Sequence, residues 1–276
     1  MHLSHITKRC WLAGLTITLL FLAPTAWAHN PVTSEGDARW VGIINLLLLV
    51  GFWGLYVVGQ IQRPVVRWRS ALFHATTVLA LLTLLGPLDD WAKTSTAAHM
   101  VQHMALMVVI APLWVISRPL PQIAGSLGRT GQWLWRPLLQ LTRFPLTTAY
   151  LHAAAIWVWH VPTFYMLVVE NPWWHLIEHA CFLLTAGLFW WAVLRASPRR
   201  RPFALLAVLF TLMHTGFLGA VLTFADSVLY DEARGIADQQ LAGLIMWVVG
   251  ALPYLGAAGW VGYLWMQQLQ KRMQST

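Results

Sequence analysis

Two pairs of histidines stand four residues apart in this chain, His99 with His103 in AHMVQHMALM and His175 with His179 in WWHLIEHACF. On a helix, residues i and i+4 share one face about one turn apart, so each pair presents two imidazoles side by side. Both pairs open long apolar runs. Ionisable groups are costly inside a bilayer, and where they occur they mark functional sites. Neutral imidazole binds Cu, Zn, Fe and Ni. Two such pairs at the same end of two parallel spans therefore suggest a metal site facing the outer side. Glu178, the only acid within a span, lies between His175 and His179 in sequence. It is a candidate ligand, or an acceptor that sets the tautomer of a ligating histidine. The alternative is an interfacial acid paired with Lys93 or Arg234.

Softer donors stand close by. Met100, Met104 and Met107 accompany the first pair, Cys181 follows His179 by two residues, and Met246 lies within the last apolar run. Histidines with thioethers nearby lean toward copper. Met100 and Met104, however, are rotated about 100° from the neighbouring histidines, so core packing is their competing role. His160, in WVWHVPTFY, falls in the same outer layer. His74, His152 and His214 are single and read as hydrogen-bonded interior residues. Asp238, in ADQQLAGLIMW, is a further candidate metal ligand if its helix packs on the fifth span, and otherwise a helix N-cap.

Catalytic templates are missing. The string from His175 through Glu178 to His179 has the H-x-x-E-H spacing of inverted zincin proteases. At a membrane interface, beside other histidines and without a hydrolase domain, it does not support that reading. No Walker A motif, dinucleotide glycine pattern, C-x-x-C or haem-attaching C-x-x-C-H is present,. No enzyme is expected.

The elements that must position these residues are membrane helices. Of 276 residues, 58% are hydrophobic and only 10% charged, against roughly 25% charged in soluble domains. The net charge of +8 sits in short loops between apolar runs, which argues for orientation in a bilayer rather than nucleic-acid binding,. Residues 1–28 look like a secretory signal: Lys8 and Arg9, then an apolar stretch, then Ala26-Trp27-Ala28,. Cleavage there would expose His29, whose amine and ring together can chelate copper. Residues 29–276 then form a single all-α transmembrane domain of seven helices. The spans fall near 40–59, 70–88, 98–117, 145–166, 173–194, 203–224 and 240–265, each about the ~20 residues a crossing needs.

Charge gives the orientation. Thirteen of the 18 basic residues lie on one set of connections and the tail, and that set holds no acid. The positive-inside rule places those loops in the cytoplasm, with the N-terminus outside and the C-terminus inside. His99, His103, His160, His175 and His179 then share one outer-leaflet layer. The expected location is a bacterial inner membrane, multi-pass, with the site facing the periplasm.

At these residues the chain resembles the polytopic CtaG-type cytochrome c oxidase assembly factors. The resemblance lies in His99-Met100-Val101-Gln102-His103, in Trp157-Val158-Trp159-His160-Val161-Pro162 with Tyr165, in Trp174-His175 with Glu178-His179, and in Asp238-Gln239 with Gly243, Met246 and Trp247. It implies a role in assembling haem-copper oxidases by supplying copper, with oxidase subunits as partners. It marks His99, His103, His160, His175, Glu178, His179 and Asp238 as the metal-site positions. Two other readings stay open: a haem-binding electron-transfer or quinone-reactive protein, and a membrane metal transporter. Paired rather than single histidines speak against the first, and the sparse trail of His152 and His214 against the second.

Overall fold

The computed structural model describes residues 35–274. The signal segment, its cleavage site and His29 lie outside them. Among the described residues, six helices are long and apolar enough to cross a membrane, and a bent pair makes a seventh. We name the helices α1 (Gly36–Gln62), α2 (Arg67–Leu85), α3 (Pro87–Thr94), α4 (Thr96–Ser117), α5 (Leu120–Leu141), α6 (Pro145–Trp159), α7 (Pro162–Glu170), α8 (Pro172–Leu194), α9 (Arg201–Thr223) and α10 (Ile236–Met273).

Prolines set many of the starts. Pro87, Pro145, Pro162 and Pro172 each occupy the first turn of their helix, where the missing N–H is not needed,. Pro162 also breaks the fourth span, which the apolar run alone suggests is straight. The residue before a proline is pushed out of the helical region. Val161 is accordingly extended, with ψ of 130°, and α6 and α7 meet at 73°. His160 is thereby placed at a corner. A second departure is α5, which fills the expected loop between the third and fourth spans. It packs along α1, where Ser126 Oγ donates to the Leu55 carbonyl at 2.5 Å and Gln122 Nε2 to that of Arg63 at 3.2 Å.

α4 is the central helix. Two thirds of its apolar window (67%) is buried, against 28% for α1. The main core gathers Met100, Met107, Phe182, Phe189, Trp190 and Tyr254 from α4, α8 and α10. Met104 and Met246 belong to the same packing, so the methionines are core side chains. Where α9 crosses α10, a Cβ on Gly243 would stand 2.6 Å from the Gly219 carbonyl oxygen. Only glycine permits that approach.

Two helices of the centre carry a π-helical turn, Ala105–Ile110 in α4 and Ile245–Val249 in α10. In α4 the π turn runs into a proline. Pro112 has no N–H to give the carbonyl five residues back, that of Met107. Trp190 Nε1 of α8 supplies the missing donor at 2.7 Å. The π turn thus becomes a tie between the two helices that carry the histidine pairs.

Candidate metal centre

The two histidine pairs face each other across α4 and α8. On α4, His99 and His103 have ring centroids 4.2 Å apart; on α8, His175 and His179 are 4.1 Å apart. Between helices, His99 stacks on His175 at 5.1 Å and His103 meets His179 edge-on at 5.6 Å. All four rings are at most 8% exposed. Glu178, fully buried, stands between them. His103 Nε2 donates to its Oε2 at 3.2 Å, and His99 Nε2 lies 3.6 Å from the same oxygen.

One ligand atom each from His99, His103, His175 and Glu178 can be chosen so that all lie within 4.8 Å of one another. That spread is compatible with a shared ion after small side-chain adjustments, since metal–nitrogen bonds are about 2 Å. Several polar atoms here have no hydrogen-bond partner: His99 Nε2, His175 Nε2 and Glu178 Oε1. Burying such groups unpaired costs roughly 1–3 kcal/mol each. A polar cluster left open in this way fits a metal better than it fits packing.

His160 lies beside this cluster, 6.3 Å from His103 between centroids. Its Nδ1 bonds the Ile156 carbonyl at 2.7 Å. A carbonyl only accepts, so Nδ1 carries the proton and Nε2 keeps its lone pair. That nitrogen is buried and has no partner. The corner at Val161-Pro162 is what turns this residue inward. His160 and His179 flank the tight group of four rather than belong to it.

Asp238 is not brought into the cluster. It sits in the first turn of α10 and caps α4 instead. Its Oδ1 accepts from Ser95 Oγ at 2.8 Å and its Oδ2 from the Thr96 N–H at 2.5 Å. Its role is to fix where α4 starts, and hence the height of His99 and His103. Gln102 adds a lateral anchor, donating to Asp89 Oδ1 at 3.0 Å and to the Thr83 carbonyl at 2.9 Å. Asn171 Oδ1 caps α8 by accepting from Trp173 N at 2.9 Å.

Glu178 does not pair with Lys93 or Arg234. Lys93 Nζ reaches Asp90 at 3.2 Å and Arg234 reaches Asp231 at 3.4 Å. Arg234 belongs to a cover over the cluster. Its guanidinium donates to Tyr165 Oη at 3.1 Å and to the Lys93 carbonyl at 2.6 Å. Tyr165 lies 5.3 Å from His99 and stacks on Tyr230 at 4.0 Å, and Tyr230 Oη donates to the His160 carbonyl at 3.2 Å. Tyr230 and Arg234 have no motif to announce them; the only hint is the string YDEAR in a connection between apolar runs.

The single histidines behave differently from one another. His74 accepts from Trp53 Nε1 at 2.7 Å and His152 bonds Thr185 Oγ1 at 2.9 Å. His214 packs on Phe210 at 5.1 Å, and neither of its nitrogens is hydrogen-bonded.

The cytochrome c oxidase caa3 assembly factor family, Caa3_CtaG, matches residues 47–268. An uncharacterized protein of Mycobacterium leprae is 24% identical over 244 residues, which are 78% of this chain and 37% of that protein. An uncharacterized protein of Mycobacterium bovis is 29% identical over 185 residues, 58% of this chain and 28% of that protein. The chain spans about a third of the length of these curated relatives. No solved structure matches it.

Proposed function

We propose that this chain, which belongs to the cytochrome c oxidase caa3 assembly factor family, binds copper at the histidine–glutamate cluster and passes it to an apo oxidase subunit. The cluster faces the periplasm of a bacterial inner membrane, and the chain acts as a chaperone rather than an enzyme. The observation that carries this is the convergence of His99, His103, His175 and Glu178 from two helices. Three imidazoles and a carboxylate suit copper or zinc, and the family's tie to a copper-containing oxidase favours copper.

In this reading copper is cargo. His99, His103 and His175 would each offer a neutral nitrogen, His103 giving up the tautomer that donates to Glu178, and Glu178 offsets the cation's charge inside an apolar wall. His160, at the outer corner, and His179, one turn deeper than His175, give the ion further nitrogen donors beside the group of four. Tyr230 and Arg234 form a cover over Tyr165 and the cluster, held by hydrogen bonds of Arg234 to Tyr165 Oη and the Lys93 carbonyl and of Tyr230 to the His160 carbonyl; both lie in the connection after α9, which can open without disturbing the helices. A haem would need an open slot between facing axial rings, and here His99 and His175 stack on each other. A transporter would need a continuous run of polar groups leading inward, whereas only two single histidines follow the cluster, His152, tied through Nδ1 to Thr185, and His214.

The test is metal analysis and absorption spectroscopy of purified His103→Ala and His175→Ala, with His74→Ala as control. Copper per chain should fall at least about tenfold in the first two and stay unchanged in the control. Cells carrying the site variants should hold oxidase with deficient copper centres, partly restored by added copper, because mass action offsets a weakened site. Normal copper loading in both site variants would overturn the reading, and a Soret band would replace copper with haem.

A further inference from the structure

At the end of the bundle away from the histidines, three arginines surround one cleft. Arg69 comes from the first turn of α2, Arg118 follows α4 and Arg195 follows α8. The chain has ten acids. Glu35 and Asp37 sit at the start of α1, Asp89 and Asp90 in α3, and Glu170 at the end of α7. Glu178 is in the cluster, Asp226, Asp231 and Glu232 lie between α9 and α10, and Asp238 opens α10. All therefore belong to the opposite end, and the protein supplies these arginines with no counter-charge.

Their state is consistent with that. Arg69 Nε is buried without a hydrogen-bond partner. The guanidinium of Arg195, beyond the end of α8, has its pKa lowered first by burial and then by the charges of Arg118 and Arg69. Arg118 has a φ of 57°, the one positive value at a non-glycine among the described residues. That backbone disfavours any side chain and suits glycine.

The cleft holds about 620 Å³, and its walls are apolar: Val109, Leu113 and Ile116 of α4, Leu194 of α8, Gly256 and Trp260 of α10. Ile116 is 40% and Trp260 53% exposed, so the cleft opens sideways between helices that cross the bilayer. Three uncompensated guanidiniums at one end of an apolar slot match an amphiphile with an anionic head. Guanidinium holds phosphate oxygens through paired hydrogen bonds. Basic pockets between membrane helices take acidic headgroups. A free phosphate would use the arginines and leave the slot unused.

We propose that this cleft binds an anionic phospholipid, with its phosphate among Arg69, Arg118 and Arg195 and the upper part of one acyl chain along α4 and α10. The bound lipid braces the far ends of α4, α8 and α10. Of these, α4 and α8 carry the histidine pairs. The site stands independently of whether the cluster holds metal.

The experiment measures lipid retained by the delipidated full chain, by native mass spectrometry, after incubation with phosphatidylglycerol or phosphatidylcholine. Phosphatidylglycerol should be retained in preference. Replacing Arg69, Arg118 and Arg195 by Gln should lower that retention by about fivefold per arginine and leave phosphatidylcholine unchanged. Gly256→Phe fills the slot with the arginines intact, since a Cβ there meets nothing within 4 Å, and it should also lower retention. Arg118→Gly relieves the backbone while removing the charge, so lost retention in a chain at least as stable as the parent cannot be misfolding. Equal retention of the two lipids, or full retention in Gly256→Phe and Arg118→Gly, would overturn the proposal. So would displacement of the lipid by millimolar inorganic phosphate, which would make this a free-anion site.

Discussion

The two ends of the helical bundle solve the same problem, charge at the edge of an apolar body, in opposite ways. At the histidine end the protein provides both signs. Glu178 accepts from His103, Asp90 meets Lys93, Asp231 meets Arg234, and Asp238 closes the start of α4. At the other end arginines turn to neutral acceptors. Arg201 donates to the Leu264 carbonyl at 2.8 Å and Arg63 to that of Pro121 at 3.3 Å, while Arg69, Arg118 and Arg195 gather without any acid. Where both signs are present the chain builds a closed, buried cluster under a cover. Where only one is present it leaves an open cleft whose counter-charge must come from outside.

The strongest test of that contrast is topological, because its outcome is all or none. Reporter tags after Arg201 and at the C-terminus should report cytoplasm, and tags near Asp90 and Asp231 should report the periplasm. The basis is the one-sided arginine count, which orients short loops. A periplasmic C-terminus would invert the two ends and remove the proposed hand-over to a periplasmic subunit. The next effect concerns Glu178. Its replacement by Leu removes the one carboxylate that His103 and His99 share, and copper affinity should drop about 10–100-fold, measured by competition with a chelator. Gln, which keeps an acceptor but no charge, should fall between. Arg199→Gln, on the basic side, should change nothing. If Glu178→Leu bound copper like the parent, the carboxylate would have no part in the site.

How much of this was legible in the sequence depends on how local the geometry is. An i,i+4 pair is a property of one helix, so the shared face of His99 and His103, and of His175 and His179, followed from spacing alone. The helical membrane class followed from apolar run length. The break at His160 also had a local signal, the Val161-Pro162 step, which the apolar run masked. The segment α5 was masked differently: its Arg129 and Arg136 and its Gly128 read as a loop, and Gly128, with φ of 59° and ψ of −137°, does break it into two helical pieces, the first of which packs on α1. The task of Asp238 was out of reach, because only the packing of α10 against α4 brings its carboxylate to Ser95 and Thr96. The same holds for Tyr230 and Arg234, which become a cover only when the connection after α9 folds back over Tyr165. The tie at the π turn after His103 joins the Met107 carbonyl, which Pro112 cannot serve, to Trp190, a residue far away in sequence.

The smallest expected effect separates positioning from ligation within the histidine end. Asp238 accepts from Ser95 Oγ and from the Thr96 N–H, and Ser95 Oγ in turn accepts from Ala98 N at 3.1 Å. Asp238→Ala removes the outer member of this chain but leaves the Ser95 cap. Its cost should be that of one lost helix cap, about 1–2 kcal/mol, read as lower thermal stability with faster amide exchange at the start of α4. Copper affinity should fall by only a few-fold, because His99 and His103 stay anchored by the Gln102 bonds to Asp89 and the Thr83 carbonyl. Asp238→Asn keeps one acceptor oxygen and should recover about half of the stability. The opposite pattern, unchanged stability with copper affinity lost more than about tenfold, would make Asp238 a ligand after all. It would also require α10 to move its carboxylate off the α4 terminus when metal binds.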